Sequence, residues 1–125
     1  MMMTDDDYDA LIGRWHEMAV EDRHVLKQSF GAEAVALLKA VMLHAVGLED
    51  VLVPADADQF ADMVLALRNV ERTWSKHLGT AIIRAEDAAE AGKAGDAVAV
   101  LSAFIVACPW RSFREIADAQ RDEYL

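Results

Sequence analysis

The chain has few of the residues that build disulfide-linked, loop-rich or membrane-spanning proteins. Its 125 residues include two prolines and a single cysteine, Cys108. One cysteine cannot form an internal disulfide and suits a reducing compartment, so we expect a cytoplasmic protein. The longest uncharged run begins after Asp96 and ends at Arg111, too short to cross a bilayer. The opening residues, MMMTDDDYD, are acidic and lack the basic region of a secretory signal.

Basic side chains are scarce as well. Twelve lysines and arginines stand against 22 aspartates and glutamates, which gives a formal net charge of −10. This charge repels nucleic acids and anionic membranes, so we expect neither to bind directly. It favours a basic protein partner, because long-range attraction accelerates the encounter. Acidic surfaces also keep proteins soluble, and composition alone leaves that interpretation open.

Helical periodicity runs through most of the sequence. Apolar residues recur at spacings of three and four, and the patterns predict helices over residues 7–30, 32–46, 58–89 and 96–108, then one from Pro109 or Ser112. Pro54 interrupts the segment after Gly47, which we predict to be a loop or short strand. Gly79 predicts a kink or a close helix crossing. The fold is therefore predicted to be an all-α, single-domain bundle of about five helices at 7–125, after a flexible tail at 1–6.

The segment at 96–108 differs from the other helices. After Asp96 it reads AVAVLSAFIVAC, with no charge on any side. A helix that is apolar all round must be enclosed by others. We therefore predict that it is the buried central helix of the domain.

Residues 85–109 resemble one tetratricopeptide-type helix hairpin. The matching positions are the small residues Ala85 and Ala88, the turn glycine Gly92, and then Ala97, Leu101, Phe104 and Pro109. The aromatic and Leu-Gly positions of the family's first helix are absent, since Ala81 and Arg84 stand there. No second copy follows at the repeat period, and a solenoid needs about three. The resemblance implies local helix packing without a peptide-binding array.

The run from Phe104 to Gln120, F-I-x-x-C-P-W-x-x-F-R-x-I-A-x-x-Q, resembles the C-terminal end of small helical proteins encoded beside bacterial toxins. In such pairs the acidic partner is an immunity protein that blocks a basic toxin domain. The resemblance implies a bacterial protein-binding inhibitor of immunity or antitoxin type, which is no enzyme and needs no cofactor. That class has no common contact motif, so no individual residue is carried over.

An acidic segment is the strongest candidate for a partner-binding surface. Its carboxylates are Glu49, Asp50, Asp56, Asp58 and Asp62. We predict helix caps at Asp56 and Asp58, and partner contact by the other three. A second candidate is the pair Trp110 and Arg111. A buried indole is the first interpretation of Trp110, and an exposed one would be an interface anchor.

Two alternatives to the inhibitor belong to other classes. Glu17, Glu21 and His24 form one stripe of the first predicted helix, and Glu21 and His24 have the Glu-x-x-His spacing of di-iron bundles. They define the metal-dependent enzyme alternative, although no second such pair is present. A homodimeric helical scaffold or adaptor is the other. Cys108 is interpreted as a small buried hydrophobe, with a thiol of low pKa at a helix start as its alternative.

Overall fold

The computed structural model describes residues 3–125, and these contain α-helices and no strand. The helices are α1 Asp5–Ala19, α2 Arg23–Ser29, α3 Ala32–His44, α4 Ala57–Glu90, α5 Ala94–Ala107 and α6 Arg111–Asp122. The all-α prediction is confirmed, but the described chain has six helices and not about five. It forms two compact units, Met1–Val70 and Glu71–Leu125, with α4 contributing to both.

The additional helix arises because the first predicted helix is interrupted at residues 20–22. The Asp22 carboxylate accepts a hydrogen bond from the Val25 amide at 2.9 Å and caps α2. A capping aspartate gives the backbone an alternative to continuing the helix. On the other side of the break, Arg68 Nη1 donates to the Ala19 carbonyl at 2.5 Å. That bond satisfies one of the carbonyl groups that the end of α1 leaves without a helical partner.

α1 begins earlier than predicted. The Thr4 hydroxyl accepts from the Asp7 amide at 3.1 Å, and the Asp7 carboxylate accepts from the Thr4 amide at 3.2 Å. This reciprocal capping box satisfies two amide groups at once. Three aspartates in the first turn also lie at the positive end of the helix dipole. Asp5 and Asp6, which we predicted to lie in the flexible tail, thus belong to the helix. Met1 and Met2, which are also part of the predicted tail, lie outside the described residues.

In the first unit, α1 packs against α3. The ring of Phe30 stacks on that of Phe60 with centroids 5.8 Å apart, which joins the end of α2 to α4. The core combines residues that recur every three or four positions, so each helix contributes one face. The buried side chains include Tyr8, Leu11, Trp15, Leu26, Leu37, Leu38, Val41, Phe60, Ala61 and Val64.

Gly47 ends α3 as predicted. Its φ of 74° lies in the left-handed region, which favours glycine. The Gly47 amide donates to the Leu43 carbonyl at 3.1 Å, a bond that satisfies a carbonyl at the helix end. The following segment, residues 48–56, is irregular. The Asp56 carboxylate accepts from the Gln59 amide at 2.8 Å at the start of α4.

α4 is a continuous helix of 34 residues, and it runs through Gly79 without interruption. A Cβ at Gly79 would meet no described atom within 4 Å beyond its own helix backbone. The predicted close helix crossing at this glycine is therefore wrong, since no neighbouring element approaches it.

In the second unit, a turn at Gly92 joins α4 to α5. Gly92 has a φ of 79°. Its amide donates to the Ala89 carbonyl at 3.0 Å, and the Lys93 amide donates to the Ala88 carbonyl at 2.9 Å. This pair of bonds is a Schellman motif, in which a residue of positive φ closes the helix end.

α5 is buried on one face only, and the prediction of an enclosed central helix is wrong. Its buried positions, Ala97, Leu101 and Phe104, recur at helical spacing, as does Cys108 after its end. The opposite face carries Ala99, Ala103 and Val106, and Val106 is 88% exposed. The sequence pattern gave the wrong prediction because the exposed side carries alanine and valine, which are apolar like the residues of the buried side.

α6 packs against α5. It begins at Arg111, so the predicted starts at Pro109 and Ser112 are both off by one or two residues, and Trp110 is its N-cap. Arg114 Nη1 donates to the carbonyls of Pro109 at 2.8 Å and Cys108 at 3.1 Å. A guanidinium placed at the end of α5 thereby satisfies carbonyl groups that lack a helical partner.

Candidate functional site

Within the described residues 3–125, some carboxylates of the acidic segment form hydrogen bonds or salt bridges and others form no salt bridge. The Asp58 carboxylate lies 2.9 Å from Lys27 Nζ, and 3.4 Å from Arg23 Nη2. Arg23 also pairs with Asp62. Asp56 is a helix cap as predicted, whereas Asp58 lies inside α4 and pairs with α2 instead of capping. Two of the five carboxylates are therefore balanced by cations of the same unit.

Glu49 and Asp50 differ from these three. Both are exposed in the irregular segment after α3. Within residues 3–125, every salt bridge that involves the acidic segment is made by Asp58 or Asp62. The negative charge of Glu49 and Asp50 is thus directed toward solvent, where it acts on an approaching molecule.

An apolar groove lies beside these two charges, entirely within the first unit. It has a volume of about 370 Å³. We call it the apolar groove. Its lining residues are Met42, Leu48, Asp50, Leu52, Met63, Ala66, Leu67 and Val70. Among the described residues, Asp50 is the one charged side chain of this lining, so a negative charge lies at the edge of an otherwise apolar surface.

Three elements build the apolar groove. α4 supplies Met63, Ala66, Leu67 and Val70, which are spaced as i, i+3, i+4 and i+7 and so share one face. α3 supplies Met42 from its last turns. The irregular segment crosses nearby and supplies Leu48 and Leu52, the second of which is 79% exposed. The groove exists because the first part of α4 carries more apolar residues than its buried face uses.

Periodicity alone missed this site. It assigns Met63, Leu67 and Val70 to one core stripe, yet Val70 is exposed and Met63 is half-buried. Two features of the sequence could have indicated the groove. The first part of α4 has a wide apolar arc, and the non-helical segment before it contains leucines. A wide arc exceeds what one buried face requires.

The second predicted candidate, Trp110 with Arg111, gives no exposed anchor. Trp110 is 0% exposed, so the first interpretation, a buried indole, is confirmed, and a partner cannot reach it. Its ring stacks on Phe113 with centroids 6.1 Å apart. Arg111 Nε donates to the Glu115 carboxylate at 2.9 Å, one turn along α6.

Cys108 is a packed thiol. It is buried, and its Sγ lies 3.7 Å from the Trp110 carbonyl. Burial raises the pKa of Cys108 above its ordinary value, against the opposing charge of Arg114. The alternative of a thiol with a low pKa is therefore wrong, because desolvation disfavours the thiolate.

The stripe that motivated the metal alternative does not form. Glu17 lies in α1, Glu21 in the break and His24 in α2, so the three do not share a helix face. His24 Nε2 instead lies 3.2 Å from Gln28 Nε2. Among residues 3–125, no group of three or more His, Cys, Asp or Glu side chains is arranged to hold a metal ion.

The second unit also has acidic surface. The pKa of Tyr124 is raised, first by partial desolvation and then by the charges of Glu86, Glu123 and Glu90. A cavity of about 340 Å³ lies between α5 and α6. Its charged lining consists of Arg111, Arg114, Glu115 and Asp118. Arg111 donates to Glu115 and Arg114 to the end of α5, whereas Asp50 at the apolar groove forms no salt bridge among residues 3–125.

No protein-family model, curated protein or solved structure matches this chain. In the part of the chain that the structure describes, none of the helices combines the length and apolar character needed to cross a membrane.

Proposed function

We propose that this protein is a protein-binding inhibitor of immunity or antitoxin type, which neutralises a basic partner through its acidic surface. The observation that carries the proposal is the exposed position of Glu49 and Asp50, which form no salt bridge within residues 3–125. Asp50 lines the apolar groove and Glu49 precedes it in the chain. Opposite charge accelerates the encounter and sets its orientation, and apolar contact then lengthens the life of the complex. Occupying a basic site of the partner blocks access to it.

The formal charge of −10 supports the same function. A surface of this sign attracts a basic protein over about one Debye length and repels nucleic acid. An inhibitor of a basic enzyme benefits from both effects, because it competes with an anionic substrate without binding that substrate.

The test is capture of the partner from native cell lysate at low salt, followed by a salt step and mass spectrometry. We expect a basic protein in the eluate. The double variant E49Q/D50N should associate several-fold more slowly with it. D9N/E17Q is the matched control, since it removes two exposed carboxylates of α1 and changes the net charge equally. Equal affinity at low and high salt, or equal rates for both variants, would contradict the electrostatic mechanism.

A homodimeric scaffold is the second candidate function, and the exposed face of α5 favours it. After the first turn, which contains Asp96, that face carries Ala99, Ala103 and Val106 and no charge. Small side chains allow two helices to approach closely, and an uncharged face lessens the repulsion between two acidic copies. Sedimentation that shows a monomer at micromolar concentration would remove this candidate.

A further inference from the structure

We propose that the apolar groove is the docking site for an amphipathic helix of the partner, with basic residues on the flank that faces Asp50 and Glu49. This inference rests on the proposed function and specifies how the partner is recognised. It commits to a helical segment of another protein, and the lining, the shape and the charge of the groove each support that choice.

The shape of the apolar groove suits a helix. Its α4 wall extends from Met63 to Val70, a length of about 10 Å at 1.5 Å per residue. A helix that lies along this wall presents residues at i, i+3, i+4 and i+7 over the same distance. The irregular segment with Leu48 and Leu52 forms part of the remaining lining, so the groove accepts two turns of a helix.

The lining favours a protein segment over a small molecule. Small-molecule sites bury most of their ligand, whereas Leu52 in this lining is itself 79% exposed. Met42 and Met63 contribute thioether side chains, which are flexible and polarisable and adapt to the shape of an apolar partner. Open methionine-containing grooves of this kind accept amphipathic helices.

Charge decides between a foreign helix and a second copy of this chain. Asp50 lies in the lining and Glu49 precedes it, so a lysine or arginine beside the apolar face gains a favourable contact. A second copy would bring another formal charge of −10 toward this acidic rim. The exposed face of α5, the apolar helix surface that a second copy would offer, carries no basic residue on its Ala99, Ala103 and Val106 side.

The first experiment uses a designed peptide of about four helical turns, with leucines at helical spacing and lysines on the flanks. A scrambled peptide of the same composition is its control. Binding is measured by fluorescence polarisation, and the site by the methyl NMR signals of the methionines. We expect the amphipathic peptide to shift the Met42 and Met63 signals and leave Met18 of α1 unchanged, because Met18 lies outside the lining. The scrambled peptide should bind at least about tenfold more weakly.

Two substitutions sharpen the test without disturbing the core. L52S should weaken peptide binding about tenfold, because it removes a buried leucine contact from the complex. V20S is its matched control, since Val20 is also strongly exposed in the first unit but is absent from the lining. D50N should weaken peptide binding several-fold at low salt and little at high salt. D9N should leave peptide binding unchanged at both salt concentrations.

Four outcomes of the peptide experiment would overturn the inference. They are no binding of the amphipathic peptide, equal binding of both peptides, unshifted Met42 and Met63 signals, and methionine shifts that depend on protein concentration without peptide. The last would identify a second copy as the occupant. A captured basic partner that binds L52S as tightly as wild type, but loses affinity for E49Q/D50N, would also overturn the groove assignment while the proposed function stands. Peptide binding in the groove without any captured basic partner would support the groove and count against the inhibitor function.

Discussion

The two units of the protein share the structural features that stabilise their helices and cores, and they differ in their surfaces. Each has a tryptophan with 0% exposure, Trp15 in the first and Trp110 in the second. Each uses an arginine to satisfy carbonyls at a helix end, Arg68 for α1 and Arg114 for α5. Each ends a helix with a glycine of positive φ.

The exposed apolar side chains are arranged differently. In the first unit Leu48, Leu52 and Val70 line one concave groove beside Asp50. In the second unit the exposed ones are on separate helices or at the chain end. They are Ile83, Val106, Ile116 and Leu125. Single exposed apolar residues are ordinary, and a contiguous patch with a polar rim is typical of binding sites. The comparison therefore supports the proposal that the first unit binds the partner, and it indicates that the shared features serve stability.

The largest expected effect comes from the two buried tryptophans. W15A and W110A should each lower the free energy of unfolding by about 3–5 kcal/mol, because each removes a large core side chain and leaves a cavity. W74A is the control, since Trp74 is half-buried and should cost less. Urea denaturation measures all three. If only one of the two variants lost less than about 1 kcal/mol, the two tryptophans would not contribute equally to the stability of their units.

The next effect concerns the arginines at the helix ends. R68M and R114M each remove charge-assisted hydrogen bonds to backbone carbonyls, and we expect losses of about 1–3 kcal/mol. R111M removes an exposed pair with Glu115 on the same helix and should cost less than about 0.5 kcal/mol. The same denaturation experiment separates them. If R111M lowered the free energy of unfolding as much as R114M, the hydrogen bonds to the end of α5 would not explain the loss in R114M.

A smaller effect distinguishes two kinds of glycine in each unit. G47A and G92A place a Cβ at a positive φ and should each destabilise by about 1–2 kcal/mol. G13A and G79A lie within helices where an added Cβ meets no described atom within 4 Å beyond the helix itself. They should stabilise by about 0.4–1 kcal/mol, because alanine restricts the unfolded chain more. Thermal unfolding of the four variants gives the sign of each change, and a stabilising G92A would contradict the turn geometry.

The smallest effect is a pH dependence specific to the first unit. A hydrogen bond from Lys27 and the charges of Lys27 and Arg23 lower the pKa of Asp58 below its ordinary value. The stabilisation is therefore present above the ordinary value of about 3.9 and is lost as the pH falls through the lowered folded value. D58N should destabilise slightly at neutral pH and less at about pH 2, as measured by urea denaturation. A difference from wild type that stays constant over this range would contradict the ion pair with Lys27.

Periodicity predicted the helical class and the positions of α3 and α4 within a few residues, because their buried faces repeat at helical spacing. It failed at residues 20–22, where apolar spacing continues across a break that the Asp22 cap creates. It also failed for α5, whose exposed face after the first turn is as uncharged as its buried one. A hydrophobicity pattern shows which residues are apolar, but apolar residues also occur on surfaces. Exposed alanine and valine therefore give the same pattern as buried ones.

The candidate site was predicted only in part. Partner contact by Glu49 and Asp50 was predicted from the density of carboxylates, a property of the sequence, and it stays a prediction. The partners of Asp58 and Asp62 were not, because Arg23 and Lys27 are distant along the chain and reach them only through the packing of α2 on α4.

The sequence by itself determined the helical class, the excess of negative charge and the glycines that end α3 and α4, since these follow from local propensity and composition. Tertiary structure alone decided which carboxylates are neutralised, which face of α5 is covered and where the apolar groove lies. Each of those depends on residues far apart in the chain, and no local preference specifies their meeting.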